Sequence, residues 1–337
     1  LTRRRHGRGF AYLDPDGERV RDAEVLARIQ ELAIPPAWTD VWICPYPGGH
    51  IQATGIDGAG RKQYLYHPRW RARRDQEKFD EMLDFARALP RMRERVARDL
   101  EDRDDLGRER VLACAVRLLD RGFFRIGSED YAVTNETYGL ATMRREHVTV
   151  DGTTVVFDYP AKHGKRRVQS VVDPEVAAVV RALKRRRSGG EELLAHRRGR
   201  RWVDVRSADI NAYVKAATGS DFSAKDFRTW GATVLAAVAV AVSGAAADTR
   251  TARRRAVTRA VKEVAHYLGN TPAVARASYI DPRVFDRYQD GLTIAGVLEE
   301  LGAEPGDTAI QGAVEAAVVD LIEGHESDAI VRNGDGL

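Results

Sequence analysis

At 337 residues with 43% apolar composition, the chain is long enough for two domains and a small appendage, and its longest apolar stretch, the Ala/Val-rich run 234–242, is too short to span a bilayer. Two cysteines, Cys44 and Cys114, exclude a disulfide frame and a Cys-rich zinc site. With no charged-then-apolar leader before Arg3-Arg4-Arg5-His6, the expected compartment is the reducing cytoplasm. The net charge of +4 hides an asymmetry: residues 291–337 hold ten Asp/Glu against one Arg, leaving 53 Lys and Arg against 40 Asp and Glu on the rest, a balance suited to a polyanion.

Residues 1–75 read as a small α+β domain. A strand at 9–13 ends in the turn Asp14-Pro15-Asp16-Gly17, and Asp22 caps a helix that Pro35-Pro36 closes. Strands follow at 40–43, 51–55 and 61–66. In the last, Arg61-Lys62-Gln63-Tyr64-Leu65-Tyr66, alternation puts Lys62, Tyr64 and Tyr66 on one face. Basic, amide and aromatic groups together suit a sheet that grips a DNA groove and its phosphates; an amphipathic edge strand is the plainer reading.

Trp70 to Asp75 reads as a basic connector, after which helices are predicted at 78–88 and 92–100. Asp102-Arg103-Asp104-Asp105 follows a helix rather than a buried strand and reads as a solvated turn, not a metal cluster. Val111, Ala115, Leu118 and Leu119 stripe a helix that ends at Gly122. Arg125, between Phe124 and Ile126, lies close to core, so its cation needs an anion: a carboxylate such as Glu129, or a substrate phosphate. Asn135 to Gly139, with Tyr138, is a polar turn that could face a backbone.

Residues 147–172 form the clearest β unit. Val148, Val150, Val155 and Phe157 alternate around the Asp151-Gly152 hairpin turn, and a second turn leads to a strand at 167–172. Lys162 and Lys165 thus stand on a hairpin tip of a three-stranded sheet. Further helices are expected at 173–187 and from Ser207, with a joint at Ser188-Gly189-Gly190 and a basic run at 197–201. Lys225-Asp226-Phe227-Arg228-Thr229-Trp230 opens a long Ala/Val helix. A polar loop at 243–254 and a helix at 255–267 come next. Gly269-Asn270 then ends that helix, Thr271 and Pro272 start a short one, and Tyr279 sits near its end. In the acidic tail, amphipathic pieces at 293–301 and 309–322 suggest a helical cap.

Taken in order, Arg125, Lys162, Arg228, Asn270 and Tyr279 resemble the site of the type IB DNA topoisomerases, most closely their compact bacterial and poxvirus-like branch. The motifs carrying the resemblance are Phe124-Arg125-Ile126-Gly127, the lysine hairpin from Phe157 to Lys165, Lys225 to Trp230, and Leu268 to Tyr279. Gly60-Arg61-Lys62-Gln63-Tyr64 and Ile34-Pro35-Pro36-Ala37-Trp38 resemble the family's N-terminal domain, so the likeness runs over about residues 5–290. It implies an N-terminal DNA-clamping sheet domain (1–75) and a mainly helical catalytic domain with a three-stranded hairpin sheet (76–290); the acidic helical tail (291–337), read from its composition, lies beyond the likeness. The resulting class is α+β with two domains.

The resemblance also implies the chemistry. Tyr279 attacks a phosphodiester of duplex DNA, leaving a 3′-phosphotyrosine and a free 5′-hydroxyl strand. Arg125 and Arg228 clamp the charge growing on the non-bridging oxygens, and Lys162 protonates the leaving oxygen. Lys165 aligns as a backbone contact. Arg61, Lys62, Gln63, Tyr64, Tyr66, Tyr138 and Lys225 are further DNA-contact candidates. Neither a metal nor another cofactor is expected, nor a membrane partner; a monomer closing around duplex is. Asn270 departs from the histidine of many family members: it can donate a hydrogen bond but cannot titrate. A tyrosine recombinase is the nearest rival, but recombinases usually carry His-x-x-Arg where this chain has Lys225-Asp226-Phe227-Arg228. A non-catalytic architectural protein would leave the ordered set without a task.

Overall fold

The structure is a computed structural model that describes residues 1–101, 106–244, 249–302 and 307–332. It divides into two compact units, Leu1–Asp80 and Glu81–Leu337. The acidic turn at 102–105 lies outside the described residues, as does much of the centre of the loop expected at 243–254.

The first unit is a five-stranded antiparallel sheet in the order β2-β1-β3-β4-β5, from β1 (Thr2–His6), β2 (Gly9–Leu13), β3 (Thr39–Ile43), β4 (Ile51–Ile56) and β5 (Lys62–Tyr66). Strand β1 was not anticipated, because Arg3-Arg4-Arg5 obscures the alternation that its pairing with β2 reveals. Helix α1 (Ala23–Glu31) starts where Asp22 accepts from the backbone N–H groups of Glu24 and Val25. Its Ile29 packs with Val41, Ile43 and Ala53 as a small core, against which Leu65 of β5 also rests. Leu65 therefore faces inward, and Lys62, Tyr64 and Tyr66 share the opposite face.

The helices expected at 78–88 and 92–100, and the connector before them, are a single helix, α2 (Pro68–Glu101), with Pro90 inside it. The division between the units falls within it. Proline removes one backbone donor, but Met82, Leu83, Ala86, Leu89, Met92, Val96 and Leu100 are all buried. That stripe keeps helical spacing through Pro90, so packing overrides the local break.

In the second unit, α3 (Arg108–Gly122) is the central helix, with Val111 to Val116 buried almost entirely. Beyond it come α4 (Glu129–Asn135) and the sheet β6-β7-β8: β6 (Val148–Asp151), β7 (Thr154–Ala161) and β8 (Lys165–Val172). Helix α4 ends at Asn135, where the polar turn read at 135–139 begins, and residues 136–139 are not helical. Asp173 caps α5 (Pro174–Lys184). The basic run at 197–201 is a hairpin, β9 (Ala195–Arg198) with β10 (Arg201–Asp204).

Helices α6 (Ser207–Thr218), α7 (Ala224–Gly244), α8 (Arg250–Leu268), α9 (Pro272–Ser278) and α10 (Pro282–Gln289) complete the body. Much of the expected loop at 243–254 is thus helix, because Thr249 caps α8 by accepting from Ala252 N–H. The tail contributes β11 (Leu292–Thr293), α11 (Ala295–Gly302), α12 (Asp307–Glu323) and β12 (Val331–Arg332), which pairs with β11. Both tail helices meet α7. Among the described residues, no helix is long and apolar enough to cross a membrane.

Candidate active site

Arg125 is fixed by its neighbours. Phe123 ends α3 in the left-handed conformation, and Phe124 is buried edge-on against Phe157, with centroids 4.8 Å apart. The carbonyls of Arg125 and Ile126 accept from Leu140 and Ala141 at 2.8 and 2.7 Å. Gly127 has φ +86°, and a Cβ at Gly139 would lie 2.4 Å from its Cα and N, so only glycine permits the two chains to meet. The Arg125 guanidinium donates to Asn270 Oδ1 and, at 3.4 Å, to the Gly269 carbonyl. It does not pair with Glu129, whose carboxylate accepts from Ser207 N and Oγ at 2.7 and 3.0 Å.

Asn270 is held by the helix end that the sequence predicted. Gly269 caps α8 with φ +63°, and the Asn270 N–H returns to the Ala265 carbonyl at 2.9 Å. The next element starts at Thr271, which accepts from Val274 N–H at 3.3 Å, with Pro272 in the first turn of α9. Tyr279 ends α9 and is anchored from α7. Thr233, fully buried, donates to the Tyr279 carbonyl at 3.3 Å and accepts from Asp281 N–H at 3.1 Å. Buried Asp281 in turn caps α10 and pairs with Arg283 at 2.7 Å. Sequence reading missed Thr233, since nothing local distinguishes it from the other small residues of α7.

Arg228 lies in the first turns of α7 and is only 5% exposed. It donates to the carbonyls of Phe123 at 2.5 Å and Leu268 at 2.9 Å, and its Cζ lies 5.4 Å from the Tyr279 ring centroid. Burial and the nearby Arg125 charge lower its pKa to about 10. For Tyr279 the balance is reversed. Burial opposes ionisation, but the Arg228 and Arg125 charges, together with Arg228 and Asn270 hydrogen bonding, hold the phenol below its ordinary range. The Nδ2 group of Asn270 is buried and completes no well-formed hydrogen bond. It is a donor in reserve beside the phenol.

Arg125, Tyr138, Lys162, Lys225, Arg228 and Tyr279 line one cavity of about 330 Å³. A neighbouring one of about 650 Å³ is shared by Arg125, Tyr138, Lys162, Lys165, Arg167 and Asn270. The turn Lys162–Gly164 between β7 and β8 leaves Lys162 and Lys165 exposed on the cavity wall. Arg167 was not singled out from sequence, although alternation with buried Val171 places it on the inner face of β8. Neither Arg125 nor Arg228 nor Arg167 makes an ion pair with a carboxylate among the described residues. Nor do three His, Cys, Asp or Glu side chains gather there as a metal-binding group.

The N-terminal candidates lie in the other unit. Tyr64 and Tyr66 stack at 6.0 Å, and Tyr66 stacks on Trp70 at 4.4 Å. Lys62 covers Tyr64 at one end of this ladder and Arg74 covers Trp70 at the other. Arg61 and Gln63 turn instead to Asp57, at 3.0 and 2.9 Å. Hydrogen bonds led by the Arg61 backbone lower the Asp57 pKa to about 2.

Comparison with known proteins bears directly on this arrangement. The family profile described as "Eukaryotic DNA topoisomerase I, catalytic core" matches residues 67–297, and that described as "Bacterial DNA topoisomerase IB, N-terminal domain" matches residues 9–57. The DNA topoisomerase 1B of Acanthamoeba polyphaga mimivirus is 28% identical over 304 residues, covering 86% of this chain and 88% of that protein. The catalytic-core match spans more than half of the chain and contains every residue of the arginine–tyrosine cluster: this protein belongs to the type IB DNA topoisomerases.

Proposed function

We propose that Tyr279 is the nucleophile with which this topoisomerase relaxes supercoiled DNA, and that Arg125, Lys162, Arg228 and Asn270 serve its attack. The observation that carries the reading is the convergence on one phenol of two guanidinium groups without carboxylate partners. Such a site makes the phenol easier to ionise than an ordinary tyrosine. It then offers fixed donors to the pentacoordinate phosphate as its charge grows. The Tyr279 oxygen forms a bond to phosphorus while the bond to the 5′-oxygen breaks. The new 3′-phosphotyrosine retains the energy of the lost phosphodiester, so religation by the 5′-hydroxyl requires no ATP.

Lys162 is the group positioned for the leaving oxygen. It is exposed, carried on a tight turn and lines both cavities, so it can approach a strand lying across them. Tyr138, Lys165 and Lys225 line the same cavities and suit contacts to the phosphates on either side. In the N-terminal unit, Lys62, Tyr64 and Tyr66 offer an aromatic and cationic face to duplex, while Arg61 and Gln63 are the weaker candidates because Asp57 engages both. A monomer whose N-terminal sheet domain and catalytic domain both grip the duplex fits these two surfaces, with the acidic tail as a third segment.

Plasmid relaxation in EDTA without ATP tests the overall scheme. The parent protein should relax, and Tyr279→Phe should bind duplex yet leave no SDS-stable adduct. An adduct in the mutant would move the nucleophile, with half-exposed Tyr267 the nearest alternative, since Tyr288 is fully buried. For Lys162, a substrate with a 5′-bridging sulfur, which leaves as thiolate without a proton, should restore cleavage by Lys162→Ala and not by Arg228→Ala. Equal restoration of both would contradict the general-acid assignment.

A further inference from the structure

A third guanidinium stands at the back of the site. Arg167, on the inner face of β8, donates through Nε to Gln169 Oε1 and through Nη2 to the Tyr267 carbonyl. Its remaining terminal nitrogen, Nη1, makes no hydrogen bond within the described residues. It lies so close to the α8 cap that a Cβ at Gly269 would be 2.8 Å from it. Gly269 immediately precedes Asn270, and Arg167 shares the 650 Å³ cavity with Asn270, Arg125 and Lys162.

A half-buried cation without a carboxylate is costly unless an anion arrives. Burial lowers the pKa of Arg167, the phenol of Tyr159 works against that, and the Arg125 charge adds to it. Among the described residues no carboxylate neutralises it: the groups around it are Tyr159, Gln169, the Tyr267 carbonyl and the cations Arg125 and Arg228. Structural need alone does not explain the residue. Two neutral acceptors hold it, and a neutral donor could satisfy both. Asn270 is likewise neutral, where many type IB enzymes carry a titratable histidine.

We infer that Arg167 is a further catalytic residue of this enzyme, binding through Nη1 a non-bridging oxygen of the reacting phosphate beside Asn270 and supplying the positive charge that Asn270 lacks. Nε and Nη2 fix the guanidinium plane against the α8 cap, and Nη1 is left for the DNA strand. This deepens the assignment proposed for Tyr279 and rests on it.

Single-turnover cleavage of a suicide duplex at saturating protein tests the inference, using the full chain throughout. Arg167→Gln should keep much of the duplex affinity and slow cleavage roughly ten- to a hundred-fold, less than loss of a sole oxyanion donor. Arg167→Lys, which keeps the charge and loses the fork, should fall between them. In the Arg167→Gln background, Asn270→His should recover more activity at pH 6 than at pH 8, and the recovery should exceed any gain it gives the parent. An Arg167→Gln protein as fast as the parent, or a glutamine and a lysine variant equally slow, would overturn the inference. Should the glutamine variant not fold, a neutral methylphosphonate at the reacting position decides. The gap between parent and Arg167→Lys should narrow on it, and an unchanged gap would overturn the role. Failure of the underlying scheme reads differently, as an adduct formed by Tyr279→Phe.

Discussion

Arg93 and Arg228 are both largely withdrawn from solvent, yet the protein treats their charges in opposite ways. Arg93 of α2 is 19% exposed and sits between two carboxylates, Asp120 of α3 at 2.8 Å and Glu315 of α12 at 2.5 Å. Glu315 also accepts from Trp230 Nε1 at 3.0 Å. Burial works against the Arg93 charge, but hydrogen bonds and charges from Glu315 and Asp120 more than offset it, and its pKa is raised. Arg228 pairs with no carboxylate among the described residues; it donates to two carbonyls and faces the Tyr279 phenol, and its pKa is lowered to about 10. One arginine is neutralised by the protein and fastens the acidic tail to the body. The other is held by neutral acceptors, which suits the role proposed for it toward a phosphate from outside.

The difference separates what a buried cation does for folding from what it does for chemistry. A pair whose carboxylates are already present gains nothing from DNA. A guanidinium held by carbonyls has fixed direction and unspent attraction, which is the preorganisation that a developing phosphorane charge requires. Predictions follow from breaking each arrangement.

Arg228→Ala should have the largest effect on the reaction. Loss of a preorganised donor costs roughly 2.7–4 kcal/mol, or about a hundred- to a thousand-fold in cleavage rate. The Phe123 and Leu268 carbonyls also lose their donor, so some thermal stability goes with it. Arg228→Lys should recover little, because an ammonium cannot span both carbonyls. The check is single-turnover cleavage with a thermal melt of each protein.

Arg93→Met should behave in the opposite way. Removing one partner of a buried ion pair costs about 3–5 kcal/mol, because Asp120 and Glu315 are left facing each other. The melting temperature should fall while the cleavage rate of the folded protein stays close to that of the parent. A slowed reaction with an unchanged melt would erase the distinction between the two arginines.

The smallest effect concerns pH. The Tyr279 phenol is held below its ordinary pKa of about 10, so phenolate favours the folded state. That contribution is fully present above the unfolded pKa and is lost as pH falls through the lower folded one. In DNA-free protein, ultraviolet titration should show one tyrosine ionising below the rest, and Arg228→Ala should move it upward, since burial then acts with less opposition. A titration unaltered by the substitution would mean that Arg228 does not govern the phenol.

Much of this was legible in the sequence, and the physical reason is locality. The α8 cap at Gly269, the Thr271-Pro272 start and the Asp151-Gly152 hairpin are short-range signals that no tertiary contact overrode. The helix through Pro90 was misread because its continuity depends on a buried stripe, not on propensity. Glu129 looked like a partner for Arg125 by proximity in sequence, but α6 captures its carboxylate through Ser207. Arg167 and Thr233 were hidden for a related reason. Each matters through a contact with a segment about a hundred or forty-six residues away, which spacing alone cannot reveal.

The central claim, that guanidinium charge left without a carboxylate is reserved for the phosphate, is tested most directly by removing the charge from the phosphate instead of from the protein. Parent and Arg228→Ala would be compared in single-turnover cleavage of two duplexes, one with a phosphodiester and one with a neutral methylphosphonate at the reacting position. The expected result is a large gap between the proteins on the phosphodiester and a much smaller one on the methylphosphonate. An equal gap on both substrates would mean that Arg228 acts through structure alone and would contradict the claim.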